Sequence, residues 1–254
     1  MNTSLHQVPS IGSIVEEICS HRSSSWAWTE FPAYVQRFIG EGHFHSVLEI
    51  GGGRSPMLPK QEIERLGLEY TANDISSDEL SLAPNWVKTA AFDIATSDQA
   101  AVKPFEGAFD LIYSKMVMEH VSDYRLAYRN IHRLLRSGGV AVAFHPVLFS
   151  VPFLANYLLP EDLGWKVLTK VVPTRASAPP PKFKAYYSGC LINRRIRQRI
   201  KDIGFKNVWQ VPFYGHGYYA KVPVVREFHS VVDSLIRKSN FKPLAAFCYT
   251  IVEK

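Results

Sequence analysis

Cysteine is scarce in this sequence, and its placement excludes several classes of protein. The 254 residues include three cysteines, Cys19, Cys190 and Cys248, which lie far apart and form no CxxC pair. An odd number of distant thiols does not build a disulfide framework. There is also no HxxxH motif, no acidic cluster and no Cys/His set with the spacing of a zinc site. The sequence therefore predicts free thiols in a reducing compartment and no metal.

A secretory signal is also lacking, as is an uninterrupted apolar run of membrane-spanning length. The first twenty residues show no basic start, apolar core and small-residue cleavage site. The apolar stretch 139–160 is broken by a histidine, two prolines and an asparagine, so we do not expect a spanning helix. We expect a cytoplasmic protein. The segment 147–159 suits either core packing or peripheral contact with a membrane or a lipid-linked acceptor.

The first part of the chain has fewer positive than negative charges, and the second part reverses this. Residues 1–159 carry 12 Lys/Arg against 17 Asp/Glu, a net charge of −5, whereas residues 160–254 carry 17 against 6, a net charge of +11. Such asymmetry indicates either an anionic partner for the C-terminal part or a solvated basic face.

Short β-type runs alternate with helical stretches between Val47 and Val142. This alternation predicts an open parallel sheet covered by helices. Right-handed crossovers place the carboxyl ends of the strands along one edge, where ligands bind. Further on, isoleucines at 192, 196, 200 and 203 predict one more helix, which Gly204 would end. The predicted strands are SVLEI, LEYTAND, WVKTAAFD, FDLIYS and GVAVAFH, and then NVWQVPFYG and LAAFCYTIVEK.

A run of three glycines follows the first strand. A dinucleotide fingerprint needs G-x-G-x-x-G. Gly51 and Gly53 supply the first two positions, but Pro56 takes the third. Glu49, two residues before the turn, would repel a pyrophosphate. These departures weigh against NAD or FAD and favour a ligand that carries positive charge.

The series VLEIGGG, YTANDIS and AAFDIAT resembles the class I S-adenosylmethionine-dependent methyltransferases, in particular the broad type-11 group. The resemblance covers Val47 to about His145 directly. It implies an α/β, Rossmann-like sheet that is mostly parallel, with an antiparallel final strand and helices on both faces. It also implies that the cofactor is S-adenosyl-L-methionine.

The resemblance assigns roles to residues that follow successive strands. The glycine turn would pack under the methionine and ribose, and Asp74 would accept both ribose hydroxyls. Asp93 would contact the adenine amino group, and Ser114 lies at the end of the fourth strand, beneath the methionine. The cofactor-binding residues predicted in this way are Glu49, Gly51, Gly52, Gly53, Asp74, Ile75, Asp93, Ile94 and Ser114.

Two histidines near strand ends are candidates for the base that takes a proton from a hydroxyl acceptor, because histidine titrates near neutrality. They are His120 and His145. A structural hydrogen bond is the alternative for His120, and packing at a strand end is the alternative for His145. Aromatic side chains with polar tips can line an acceptor pocket, although strand-edge packing also explains them. The predicted substrate-binding residues are Tyr186, Tyr187, Tyr214, His216 and Tyr218.

The predicted organisation is a helical N-terminal lid at 1–40 and a methyltransferase domain at 41–254, with an acceptor-binding cap inserted at 146–190. The expected reaction is methyl transfer to oxygen, or else nitrogen, of a small molecule or saccharide, including a lipid-linked glycan. A nucleic-acid methyltransferase is one alternative, but the N/D-P-P-Y/F tetrapeptide used for flipped bases is missing. A non-catalytic, cofactor-binding partner subunit is another alternative.

Overall fold

The computed structural model describes residues 10–158, 183–216 and 234–254. Within them, helices and strands alternate along the chain as the sequence predicts. The helices are α1 (Ile11–Ser20), α2 (Ser24–Gly42), α3 (Lys60–Leu66), α4 (Ser77–Ser81), α5 (Gln99–Val102), α6 (Tyr124–Leu134), α7 (Val151–Leu158) and α8 (Arg194–Lys201). The strands are β1 (Ser46–Ile50), β2 (Glu69–Asp74), β3 (Lys88–Ala91), β4 (Phe109–Lys115), β5 (Leu135–Pro146), β6 (Asn207–Phe213) and β7 (Phe247–Glu253).

The seven strands form one sheet in the order β3-β2-β1-β4-β5-β7-β6. Strands β1 to β5 pair in parallel, and β7 runs antiparallel to both of its neighbours. Ile50 at the end of β1 is level with Asn73 of β2 and with Ser114 of β4. The carboxyl ends of the central strands therefore meet at one edge. This topology confirms the predicted class I methyltransferase sheet with its antiparallel final strand.

Helices cover both faces of the sheet. Phe31 of α2 packs against Tyr113 and Phe144 on one face. On the other face, Ile131 of α6 lines a small internal gap together with Ile112, which neighbours Tyr113 in the chain. Because adjacent strand residues point to opposite faces, α2 and α6 must lie on opposite sides of the sheet.

The N-terminal helices lie against the core rather than apart from it. One face of α2 is buried, including Phe31, Val35 and Phe38, which are at most 1% exposed. Its partner α1 buries Ile14 and Ile18 completely. Residues 10–40 thus contribute to the hydrophobic core. Their predicted role as a lid over the site stays a prediction.

The last predicted helix is shorter than the isoleucine pattern suggested. Asn193 accepts the Ile196 N–H at 2.8 Å and so begins α8, which leaves Ile192 outside the helix. The helix ends at Lys201, and Gly204 follows with a φ of +126°. Ile196 and Ile200 are its buried residues. Of the predicted cap at 146–190, residues 146–158 and 183–190 are described, and they include α7.

Candidate active site

The glycine turn after β1 has a backbone that other residues would not readily adopt. Gly51 and Gly53 have φ values of +75° and +46°. The N–H groups of Gly51 and Gly52 both donate to the Asn73 carbonyl, at 2.8 and 3.1 Å. A Cβ at Gly51 would lie 2.4 Å from a methyl group of Val117, which follows β4. The turn is therefore held between the ends of β2 and β4, as a ligand-binding turn of this fold requires.

Glu49 lies beneath this turn. Its carboxylate accepts the Met57 N–H at 3.0 Å and the hydroxyl hydrogen of Tyr70, which is also hydrogen-bonded to the Tyr113 hydroxyl. The residue is 6% exposed, and burial raises the pKa of its carboxyl group. Sequence reasoning predicted that Glu49 binds the cofactor. Its oxygens contact the Met57 N–H and two tyrosines, so Glu49 shapes the turn, and its contact with the cofactor stays a prediction.

Asp74 and Ile75 lie at the end of β2, next to the turn. Asp74 accepts the Ser76 N–H through Oδ1 at 2.9 Å. Its Oδ2 would be 3.1 Å from a Cβ at Gly53, a tight contact, so the glycine leaves room beside this oxygen. Ile75 is 60% exposed, so its apolar side chain is available for a planar group to stack on it. The two predicted residues are thus brought together on the open side of the turn.

Asp93 and Ile94 follow β3 and differ from each other in exposure. Asp93 is partly exposed and accepts the Ala95 N–H at 2.8 Å. Ile94 is buried in the core at 4% exposure. Of this predicted pair, Asp93 keeps an exposed position near the edge of the sheet, whereas the Ile94 side chain serves packing.

Two buried asparagines, which the sequence reading missed, fasten these loops. The Asn73 side-chain amide donates to the carbonyls of Ala90 and Phe92, at 2.9 and 3.0 Å. The Asn130 amide donates to the carbonyls of Ile94 and Thr96, at 2.8 and 2.9 Å. The sequence signal for such a role is an asparagine at an otherwise apolar, buried position, because buried side-chain amides are hydrogen-bonded, here to backbone carbonyls.

The end of β4 presents a lysine that the sequence reading also missed. Ser114 is buried beside Ile50, and the next residue, Lys115, reaches α2. Its ammonium group donates to the Trp28 carbonyl at 3.1 Å and lies 4.7 Å from the centre of the Trp28 ring. Burial lowers the pKa of this lysine. Among the described residues, no carboxylate forms an ion pair with it. The sequence feature that could have indicated a role for Lys115 is its position among apolar residues in the stretch YSKMVM.

His120 ends a short turn after β4, and its orientation is set by a backbone carbonyl. Its Nδ1 lies 3.1 Å from the Lys184 carbonyl oxygen, which can only accept a hydrogen bond. Nδ1 must therefore carry the hydrogen, and Nε2 keeps its lone pair in the neutral ring. The side chain is 35% exposed, and desolvation lowers its pKa below the usual 6.5. This geometry suits a proton acceptor.

His145 is placed differently. It is 2% exposed, and its ring nitrogens are 2.9 Å from the Pro146 carbonyl oxygen and 2.9 Å from the Thr250 hydroxyl. Burial lowers its pKa to about 4. Both nitrogens are engaged inside the core, so His145 has no free atom for an acceptor's proton. The structure therefore favours His120 between the two predicted bases.

Four of the five predicted substrate-binding residues are described, and two of them, Tyr187 and His216, contact the same ring, that of Phe153. Tyr186 and Tyr187 both donate backbone N–H groups to the Glu119 carbonyl, beside His120, and Tyr186 is 41% exposed. Tyr214 is 1% exposed and packs in the core. His216 contacts the rings of Phe153 and Phe247. Tyr218 lies outside the described residues.

These elements together define a class of protein. The order of the strands in the sheet and the glycine turn directly after β1 are those of the class I methyltransferase fold. Residues 48–143 match the family model described as a methyltransferase domain. These residues are thus an S-adenosylmethionine-dependent methyltransferase domain.

Similar proteins agree with this class. A malonyl-[acyl-carrier protein] O-methyltransferase from Pseudescherichia vulneris is 33% identical over 106 residues, which is 42% of this chain and 40% of that protein. A SAM-dependent methyltransferase structure from Archaeoglobus fulgidus matches 96% of this chain and 100% of its own, with a TM-score of 0.55 and 16% identity. A phosphoethanolamine N-methyltransferase from Haemonchus contortus in complex with S-adenosylmethionine matches 100% of this chain and 61% of its own, with a TM-score of 0.53 and 17% identity. The two structures show the shared fold.

S-adenosylmethionine is the cofactor of this family, and the residues present fit it. The glycine turn leaves a concave strip of backbone without side chains, at which a Cβ on Gly53 would crowd Asp74. Ile75 offers an exposed apolar surface beside the same aspartate. Asp74 and the turn would hold the ribose and methionine, and Ile75 the adenine.

No helix in the described ranges is long and apolar enough to cross a membrane. Peripheral contact through the segment 147–159 stays a prediction.

Proposed function

We propose that this protein transfers the methyl group of S-adenosylmethionine to an oxygen atom of a small molecule or saccharide. The curated relative described above is an O-methyltransferase. The observation that carries the choice of a hydroxyl acceptor is the hydrogen bond from His120 Nδ1 to the Lys184 carbonyl oxygen, because a neutral ring with its hydrogen on Nδ1 accepts a proton at Nε2.

Bound S-adenosylmethionine supplies an electrophilic methyl group. The chain must hold the acceptor in line with that group and remove the proton of a hydroxyl. His120 follows β4, whose end lies beside the glycine turn. Its Nε2 atom carries the lone pair that would accept the proton. An imidazole of lowered pKa is neutral at neutral pH and is ready to accept that proton.

Apolar side chains beside His120 favour an acceptor with an apolar portion, such as a lipid-linked glycan. The Phe183 ring is 6.0 Å from the His120 ring and is 44% exposed. Tyr186, whose N–H donates to the Glu119 carbonyl, is exposed, and Tyr157 of α7 is 52% exposed with its ring 6.0 Å from that of Tyr187. Isolated apolar residues on a surface are ordinary, but several close to one candidate base suggest a binding surface.

Methylation of a carboxylate is a second candidate, and Lys115 favours it. This cation is at the end of β4, donates to the Trp28 carbonyl, forms no ion pair with a described carboxylate, and could hold an acceptor anion. The free end of a malonyl group, named in the curated relative, is a carboxylate. Such an acceptor is already deprotonated and needs no base.

The test is turnover of S-adenosylmethionine against acceptor panels sorted into hydroxyls, carboxylates and amines, with S-adenosylhomocysteine as the measured product. We expect turnover with hydroxyl acceptors and a large loss in His120→Gln, on the order of 10²–10⁴-fold for a general base. Turnover confined to carboxylates, with His120→Gln fully active, would select the second candidate. Failure of the folded wild-type protein to bind S-adenosylmethionine in calorimetry would refute both.

A further inference from the structure

Glu119, next to His120, has a buried carboxyl group with an unsatisfied oxygen. The side chain is 6% exposed. Among the described residues, Oε2 accepts no hydrogen bond, while Oε1 is 4.0 Å from His120 Nε2. Leaving a buried polar atom unpaired costs about 1–3 kcal/mol, and more for a charged group. A carboxyl group held at that cost beside a candidate base calls for a functional explanation.

The position of this carboxyl group is fixed by its backbone. The Glu119 carbonyl accepts the N–H groups of both Tyr186 and Tyr187, at 2.7 and 2.9 Å. The same segment, 183–190, supplies the Lys184 carbonyl that orients His120. One segment thus contacts both the backbone of Glu119 and the ring of His120, at the end of the turn after β4. The arrangement is built into the fold.

In the part of the chain that the structure describes, few other ionisable groups face the pair. The Cys190 thiol interacts electrostatically with Glu119, but burial raises its pKa well above the usual range, so it stays neutral. Tyr124, at the start of α6, packs against Gly189 and keeps a buried hydroxyl. Lys184 directs its ammonium group at the Tyr186 ring, 5.2 Å from the ring centre. Among these neighbours, His120 is therefore the titratable group that lies nearest to Glu119.

We propose that Glu119 and His120 share the proton that a hydroxyl acceptor gives up, with Glu119 acting through His120 as a positioning and charge-balancing residue. This inference rests on the proposed O-methyl transfer. It adds a second residue to the acceptor side of the site.

The proposed step balances as follows in atoms and charge. The acceptor oxygen forms a bond to the methyl carbon and displaces it from sulfur, which keeps the bonding electron pair. The hydroxyl proton passes to His120 Nε2, and the ionised Glu119 carboxylate offsets the charge of the imidazolium. The proton then leaves to solvent as the product departs.

This pairing predicts a particular pH dependence. Burial raises the pKa of Glu119 to about 8 and lowers that of His120 below 6.5. Below about pH 8 Glu119 is protonated and neutral. It then carries no negative charge to balance the positive charge that His120 would gain with the acceptor's proton. Methyl transfer to a hydroxyl should therefore rise as the pH increases through about 8. In Glu119→Gln the rise in rate near pH 8 should disappear. The rise at lower pH, which reports the titration of His120, should remain.

The first experiment needs no acceptor. Histidine ring resonances are followed by NMR from pH 5 to pH 9.5, with His120→Gln used to assign His120. In the wild type we expect the His120 signal to shift near pH 8 as well as below pH 6.5. The step near pH 8 should be absent in Glu119→Gln and present in Glu64→Gln, a matched change on the exposed surface of α3. A wild-type signal without the step, or a step that survives in Glu119→Gln, overturns the proposal.

A second measurement covers the case in which Glu119→Gln does not fold. Infrared difference spectra of the wild type should show a protonated-carboxyl band that is lost as the pH rises through about 8, and that changes frequency in His120→Gln. A band insensitive to His120→Gln also overturns the proposal. Calorimetry with S-adenosylmethionine accompanies each variant. Loss of cofactor binding by the wild type would refute the proposed function, whereas normal binding without the coupled titration would refute only the role of Glu119.

Discussion

Replacing Asp74 by alanine should weaken the binding of S-adenosylmethionine by removing the carboxylate that we assign to both ribose hydroxyls. The aspartate also has a local task, since its Oδ1 accepts the Ser76 N–H at 2.9 Å. Asp74→Asn keeps an oxygen for that N–H but loses the charge. Comparing the two substitutions therefore separates recognition of the ligand from support of the loop.

The expected magnitude follows from hydrogen bonds to a charged group, which contribute about 1.5–3 kcal/mol. Two such bonds are lost, but water replaces part of each at this partly exposed position. We therefore expect a total loss of about 1.5–3 kcal/mol for Asp74→Ala. At about 1.4 kcal/mol for each factor of ten, this corresponds to a roughly 10- to 150-fold rise in Kd.

The assay is isothermal titration calorimetry with S-adenosylmethionine and with its demethylated product. Asp78→Ala serves as the matched control, because Asp78 is exposed in the first turn of the adjacent helix α4. We expect Asp78→Ala to bind as the wild type does. An Asp74→Ala protein that is folded and binds with unchanged Kd would refute the placement of the ribose.

Three further changes test other parts of the site. Tyr70→Phe removes a hydrogen bond to the buried Glu49 carboxylate and should lower the free energy of unfolding by about 1–3 kcal/mol in urea titrations, whereas Tyr157→Phe, at an exposed position, should leave it unchanged. Lys115→Met should raise KM for a carboxylate acceptor far more than Lys115→Arg does, and equal KM values would remove Lys115 from acceptor binding. The folded pKa of His145, about 4, is below its ordinary 6.5, so its contribution to stability is present above pH 6.5 and is lost as the pH falls toward 4, by up to about 3 kcal/mol. The free energy of unfolding of His145→Asn should not show this loss between pH 6.5 and 4. A pH dependence identical to that of the wild type would contradict the assignment of the loss to His145.

The sequence predicted the parts of this molecule that depend on local pattern. Alternating strands and helices gave the sheet, and glycines at a strand end gave the turn, since a positive φ such as that of Gly51 restricts the residue type. The position of Asp74 followed because strand ends of a parallel sheet share one edge. These features need little knowledge of what packs against them.

Roles that depend on neighbours distant in the chain could not be read from the sequence. Glu49 faces Tyr70 and Tyr113, which come from the two adjacent strands, so its place beneath the turn required the register. His145 and His120 look alike as strand-end histidines, yet Thr250, more than a hundred residues away, occupies one ring nitrogen of His145. Side-chain partners across the sheet decided the role of each.

The contact between Lys115 and Trp28 gives the protein an optical probe of its own. An ammonium group 4.7 Å from the centre of an indole ring perturbs the ring's electronic states, and its withdrawal should change the fluorescence. An anionic compound that draws Lys115 away would therefore be visible by emission alone, without methyl transfer. The chain contains five tryptophans, so the difference between the wild type and Trp28→Phe isolates the signal. Libraries of candidate acceptors could then be screened for binding before any product is known.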